Sequence, residues 1–176
     1  MLIDTQRIIL RRWQDSDRAP FAQMNADPRV MEFLGPPLTR QYSDDAVDAQ
    51  NALMGNSEPA FWAAARKTDN QFIGAIGVKA VTFDAAFTPC YEIGWRLAVP
   101  FWGRGYATEG AKAALTLAFR DWDMREIYSF TVPKNIKSQA VMQRIGMRRV
   151  KDGDFDHPNL SKTDPLLRHV LYRIDK

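Results

Sequence analysis

The sequence is poor in the residues that most often carry covalent or metal chemistry: its 176 residues include one cysteine and two histidines. Cys90 alone can form no intramolecular disulfide, so a reducing compartment, the cytoplasm, is the simplest expectation. No histidine lies near it in sequence, and it reads as a small strand residue rather than a nucleophile. His157, with Asp154 and Asp156 beside it, lacks a distant fourth ligand, and no metal is expected. No apolar run approaches the roughly 18 residues of a membrane-spanning helix. The start, Met1-Leu2-Ile3-Asp4, lacks the basic and apolar regions of a secretory signal, and no membrane association is expected.

An excess of one charge is also missing. The net charge is +3, and basic residues are interspersed with acids, which argues against nucleic acid as the main partner. A hydrophobic content of 45% over this length suffices for one compact core and is short for two, so one domain over residues 1–176 is expected. Two nucleotide motifs are absent as well. A Rossmann fingerprint would need a third glycine at Thr108, and the Gly-Lys-Ser/Thr of a Walker A loop occurs nowhere. No internal repeat or low-complexity segment appears.

What is present is a strand running into a glycine-rich turn that opens into a helix, over Leu97-Ala98-Val99-Pro100-Phe101-Trp102-Gly103-Arg104-Gly105-Tyr106-Ala107-Thr108-Glu109. Gly103 and Gly105 remove side chains that would hold a ligand off the backbone. The amphipathic run from Ala107 to Asp121 supplies free N–H groups and a positive dipole end. Such a turn suits phosphate.

The remaining pattern predicts a mixed α/β domain. Arg7 to Arg12 is a first strand, and Asp15, Ser16 and Asp17 offer caps for a helix through Met24. A second helical stretch stops at Pro36-Pro37, and a third helix is expected from Ser43-Asp44-Asp45 toward Met54. Phe61 to Arg66 and Phe72 to Val81 read as a hairpin about Thr68-Asp69-Asn70, with Gly74 and Gly77 marking the close approach of a backbone or a ligand. From Tyr91 the pattern alternates, with Tyr91, Ile93, Trp95 and Leu97 on one face and Glu92, Gly94 and Arg96 on the other. Glu126 to Val132 is the next strand, ended by Pro133. Asn135 caps a helix whose expected apolar face is Ile136, Ala140, Val141 and Ile145, closed by Gly146. Strands at Met147 to Lys151 and His169 to Ile174 complete the sheet, with the segment between them read as a polar loop.

The glycine turn resembles the acetyl-CoA loop of the GNAT N-acetyltransferases, Q/R-x-x-G-x-G/A. Gly105 and Ala107 fill the last two specified places, and Trp102 departs from the first. Tyr91 to Leu97 resembles the fourth strand of one branch, the ribosomal-protein-alanine (RimJ/RimL-like) acetyltransferases. Trp102 to Glu109 is similar to its pyrophosphate loop, and Asn135-Ile136-Lys137-Ser138 with Ile145-Gly146-Met147 to its second cofactor segment. The resemblance extends over Arg7 to Arg12 and Phe72 to Val78. It implies an α/β GNAT fold, a mostly antiparallel twisted sheet of about seven strands flanked by helices, with the fourth and fifth strands splayed.

The resemblance also implies direct transfer of an acetyl group from acetyl-CoA to a primary amine, without metal or acyl-enzyme. Such an enzyme must align amine and thioester, deprotonate the ammonium, stabilise the developing oxyanion and protonate the leaving thiolate. By resemblance, Trp102, Gly103, Arg104, Gly105, Tyr106, Ala107 and Thr108 hold the pyrophosphate. The backbone of Leu97, Ala98 and Val99 pairs with the pantetheine arm like an added strand, one N–H serving the thioester carbonyl. Glu92 is the expected general base, directly or through a water; the plainer alternative is a strand glutamate paired with an arginine. Asn135 and Ser138 are expected to contact the cofactor, with Ser138 as general acid, although spacing alone reads them as a helix cap and a surface hydroxyl. Tyr128 is the alternative proton donor, yet its alternation favours core packing.

Phe33 and His157 are the candidate acceptor-binding residues. The alternatives are a core phenylalanine and a loop histidine satisfied by its aspartate neighbours. The acceptor is a peptide N-terminus or a small-molecule amine. Asp44, Asp45 and Asp48 hint at a basic protein substrate, or equally form a solvated helix start. A different class of function, a non-catalytic acetyl-CoA-binding sensor or scaffold, would bind the cofactor and tolerate loss of Glu92 and Ser138. A nucleic-acid-binding domain would instead show salt-dependent binding without CoA. Monomer and homodimer both fit, since no heptad or apolar patch decides between them.

Overall fold

The computed structural model describes residues 2–176. Its strands are β1 (Ile3–Asp4), β2 (Ile8–Arg11), β3 (Phe61–Arg66), β4 (Phe72–Ala80), β5 (Tyr91–Leu97), β6 (Glu126–Thr131), β7 (Arg148–Arg149), β8 (Phe155–Asp156) and β9 (Arg168–Asp175). The helices are α1 (Asp15–Asn25), α2 (Pro28–Met31), α3 (Arg40–Gly55), α4 (Tyr106–Asp121) and α5 (Ile136–Arg144). The sheet runs β1-β2-β3-β4-β5-β6-β9-β7, with β8 pairing β9. Neighbours are antiparallel except β5 and β6, which are parallel because α4 carries the chain back between them.

That parallel pair shares a single register position, Glu92 with Tyr128. Beyond it the two strands part, leaving a slot inside the sheet along the C-terminal half of β5. The expected mixed fold and the splayed pair are both there. Among the described residues the strand count is nine rather than about seven, because β1 and β8, two residues each, are too short to show alternation in sequence.

Two apolar layers cover the sheet. Ile8, Leu10, Trp62, Ile76 and Ile93 pack beneath α4 and α5 against Ala111, Ala114, Leu115 and Met142. On the other face Trp13, Phe21, Val47, Phe72 and Ala75 pack under α1 and α3. Each fully buried large side chain contributes roughly 1.5–3 kcal/mol. Gly77 and Gly74 are places where another backbone comes close: a Cβ on Gly77 would sit 2.3 Å from the Ala60 carbonyl oxygen, and one on Gly74 2.2 Å from that of Arg96.

Three local expectations change. Helix α3 begins three residues before Ser43, because Thr39 caps it by accepting a hydrogen bond from the Tyr42 N–H. Ser43 is then buried inside the helix, accepting from the Asn25 side chain. Ile136 is 67% exposed, since the first turn of α5 overhangs the sheet and Met142 and Ile145 supply the buried face. The segment after Asp152 is more than a loop, because β8 within it pairs with β9 and ties it to the sheet.

Candidate active site

Alternation along β5 sends Ile93 and Leu97 into the layer beneath α4 and puts Glu92, Gly94 and Arg96 on the opposite face. At the Glu92 end a cavity of about 170 Å³ is lined by residues that include Lys79, Phe83, Glu92, Phe130, His157 and Asn159. Lys79 is the register partner of Glu92 on β4, and its ammonium lies 3.2 Å from the carboxylate. The plainer reading anticipated an ion pair with arginine; the partner is this lysine. Burial pushes the Glu92 carboxyl above the ordinary glutamate value, and Lys79 offsets only part of that rise. A carboxyl with raised proton affinity at the wall of a cavity has the property a base for an ammonium needs.

His157 enters the same cavity. Its aspartate neighbours do not satisfy it: Asp154 pairs with Arg149 and Asp156 with Arg168. Instead its ring packs 4.5 Å from Phe83 and 5.2 Å from His169, and Nδ1 accepts from the Asn159 N–H at 3.3 Å. Burial, with His169 and Lys79 adding repulsion, holds the imidazole below its usual value, so the ring is neutral at pH 7. Phe87, Phe130 and Phe155 complete an aromatic wall. Phe33 sits half-buried in the turn after α2 and does not line this cavity.

Arg96, two positions further along the same face of β5, is a half-buried guanidinium. Among the described residues it makes no ion pair, and its side-chain hydrogen bond is from Nη1 to Asn25 Oδ1 at 2.8 Å. Burial draws it below the ordinary arginine value, with Tyr42 opposing, and it remains charged at neutral pH. Cys90 lies just before β5. Burial, with Glu92 and Glu126 adding repulsion, pushes its thiol up to about 12.

At the other end of β5 the chain makes a 3-10 turn, Val99–Phe101, and then the glycine turn. Gly103 and Gly105 have φ of 71° and 80°, backbone that a side chain would strain. Gly105 caps α4 without a side-chain hydrogen bond, so the N–H groups of its first turn stay open. Space, open donors and a 16-residue helix fit a phosphate. Thr5 and Arg7 hold Glu109 and so neutralise the one acid in that turn.

Trp102 shapes the slot. Its indole N–H donates to the Leu97 carbonyl at 2.7 Å, and the Lys137 ammonium lies 4.7 Å from its ring centroid. The Ala98 N–H turns to Ile73 O on β4 at 3.0 Å, whereas the Val99 N–H has no partner among the described residues. Asn135, the cap of α5, accepts from the Ser138 N–H and donates to Thr131 Oγ1, as the cap reading anticipated. The half-buried Ser138 hydroxyl has no hydrogen-bond partner among the described residues. Tyr128 is buried, and its hydroxyl is committed to Glu126 at 3.2 Å. Of the acidic trio suggested by the sequence, Asp44 and Asp48 are paired with Arg40 and Arg18, and Asp45 accepts from the Gln41 side chain.

Phe83, Phe87, Phe130, Phe155 and Asn159 were not anticipated. The aromatic spacing in Phe83 to Phe87 and in Phe155-Asp156-His157 was the available signal, since two aromatics at the ends of a short loop often pack on one neighbour.

Comparison with known proteins gives the family. The acetyltransferase (GNAT) domain family matches residues 7–148. An uncharacterized N-acetyltransferase of Bacillus subtilis, YnaD, is 30% identical over 149 residues, covering 85% of this chain and 84% of that protein. An FsC-acetyl coenzyme A-N(2)-transacetylase of Aspergillus fumigatus is 31% identical over 137 residues, covering 73% of this chain and 57% of that one. The structure of a ribosomal-protein-S5-alanine acetyltransferase from Vibrio fischeri superposes with a TM-score of 0.78 at 16% identity, over 99% of this chain and 96% of that one, a likeness of fold. With residues 7–148, most of its length, matched by the family, this chain belongs to the GNAT acetyltransferase family.

Proposed function

We propose that the protein transfers an acetyl group from acetyl-CoA directly to a primary amine, the amine of a protein N-terminus or of a small molecule, in the cytoplasm. The observation that carries this reading is Glu92, a desolvated carboxyl in a cavity wall at the point where β5 leaves β6. Acetyl-CoA supplies the activated acyl group and a thiolate leaving group. The open N–H groups after Gly103 and Gly105 bind its phosphates, together with the Arg104 side of the turn. Backbone at Leu97 to Val99 lines its arm, and a free N–H there stabilises negative charge developing on the carbonyl oxygen.

Glu92 takes the ammonium proton, directly or through a water, and Lys79 keeps the carboxylate available by favouring its ionised form. The neutral His157 and its aromatic neighbours exclude water around the amine. Ser138, with its hydroxyl free, donates a proton to the thiolate. Resemblance of three segments to the ribosomal-protein-alanine acetyltransferases makes a peptide N-terminus one acceptor class.

Calorimetric titration with acetyl-CoA, beside a Gly105→Glu variant, tests the cofactor and its place. Micromolar binding that the variant loses is the expected outcome. Absence of binding to the unmodified protein overturns the reading.

A further inference from the structure

Among the described residues, Arg96 is the charged group on this face of β5 that has no counter-charge. Glu92 has Lys79, whereas the partner of Arg96 is the neutral amide of Asn25, itself fully buried and anchored to Ser43. Half-burying a guanidinium against a neutral group costs solvation that an ion pair would normally offset. None of its other N–H groups is both fully buried and unpaired. A fork of donors anchored through one nitrogen to Asn25, with no acid of the described residues beside it, is suited to a carboxylate.

The position says which ligand supplies it. Arg96 shares a face with Glu92, and α4 with its phosphate turn covers the other face. The anion therefore belongs to the amine acceptor, not to the cofactor. Along β5 the two charged side chains start about 13 Å apart, four strand residues at ~3.3 Å each. Between them lies Gly94, against which the Phe61 ring packs; a Cβ there would be 2.9 Å from Phe61 Cζ. The stretch between base and guanidinium is thus covered by an apolar ring.

We infer that Arg96 is a specificity-determining residue that binds a carboxylate of the acceptor, so that the preferred acceptors carry an acidic group several bonds from the reacting amine, with an apolar or neutral stretch lying over Phe61 and Gly94. This rests on the acetyltransferase reading above. Both a short acidic peptide and an amino-acid-derived amine with a distal carboxylate have this chemistry, and an α-amino acid, whose two groups are adjacent, is too short to span from Glu92 to Arg96.

The test uses the full chain saturated with CoA and the peptides Ala-Ala, Ala-Ala-Ala and Ala-Ala-Ala-Ala, each as free acid and as C-terminal amide, titrated calorimetrically and assayed for thiol release with acetyl-CoA. The acid is expected to bind roughly tenfold or more tightly than the amide at one of the longer lengths. In R96Q the acid-to-amide ratio should fall to about one with amide binding unchanged. R96K, which keeps the charge without the fork, should lose several-fold of the preference and carries the test if R96Q does not fold. Acids and amides that bind alike at every length, or a preference that survives both variants, overturn the proposal. Turnover without acid preference overturns it while the acetyltransferase reading stands; Arg96-dependent acid binding without thiol release from any amine does the reverse.

Discussion

Glu92 has opposite consequences for turnover and for stability. Burial raises its folded-state carboxyl above the ordinary 4.5, so within the window from that value up to the raised one the native protein binds more protons than the unfolded chain. Stability therefore falls as pH climbs through this window and levels off above it. E92Q removes the loss. It should be at least as stable as the parent at neutral pH, with the advantage disappearing below the unfolded value, while kcat drops about 10²–10⁴-fold and the acid limb of the rate profile vanishes. Thermal melts across pH, with turnover at saturating substrate, check both halves, and an unchanged kcat would remove Glu92 from the mechanism. At this scale Asn135 was readable as a cap, because capping follows from short-range spacing. Arg96 was readable as a strand residue and not as an unpaired cation, since only folding shows that Asn25 rather than an acid comes to meet it.

Among the elements, α5 is held at its start by one side chain doing two things. Asn135 caps the helix and donates to Thr131, tying α5 to the end of β6. N135A should cost about 1 kcal/mol, within the usual range of about 0.5–2 for a lost cap, read from the urea midpoint at unchanged m-value. A larger loss would mean that the Thr131 contact outweighs the cap. This helix and its cap were legible in the Asn-x-x-Ser spacing, whereas the start of α3 was not: Asp44 and Asp45 look like first-turn acids, but Thr39 caps earlier and Asp44 serves Arg40. β8 was illegible for a related reason. Two residues give no period, and β9 supplies its edge only in the folded chain.

At the scale of the whole molecule, α1 is locked to the sheet by the buried bidentate pair of Arg11 and Asp17, while the two sides of the slot share one register position. The alternation foretold the sheet and the family resemblance its interruption; the aromatic cavity came from residues scattered between Phe83 and His157, which topology alone assembles. Hydrogen exchange should accordingly be slow under α4 and fast along the slot in the free protein. Acetyl-CoA should slow it by about tenfold or more at residues 97–99 and 106–108, and unchanged exchange there would place the cofactor elsewhere. The slot is also, chemically, two sheet edges facing each other inside a protein, and bare edges recruit foreign strands. Here the Trp102 indole already occupies the Leu97 carbonyl, and the Lys137 charge stands beside it. A second chain approaching to add a strand at Leu97 would meet an acceptor already taken and a cation beside it, the same devices that blunt outer edge strands.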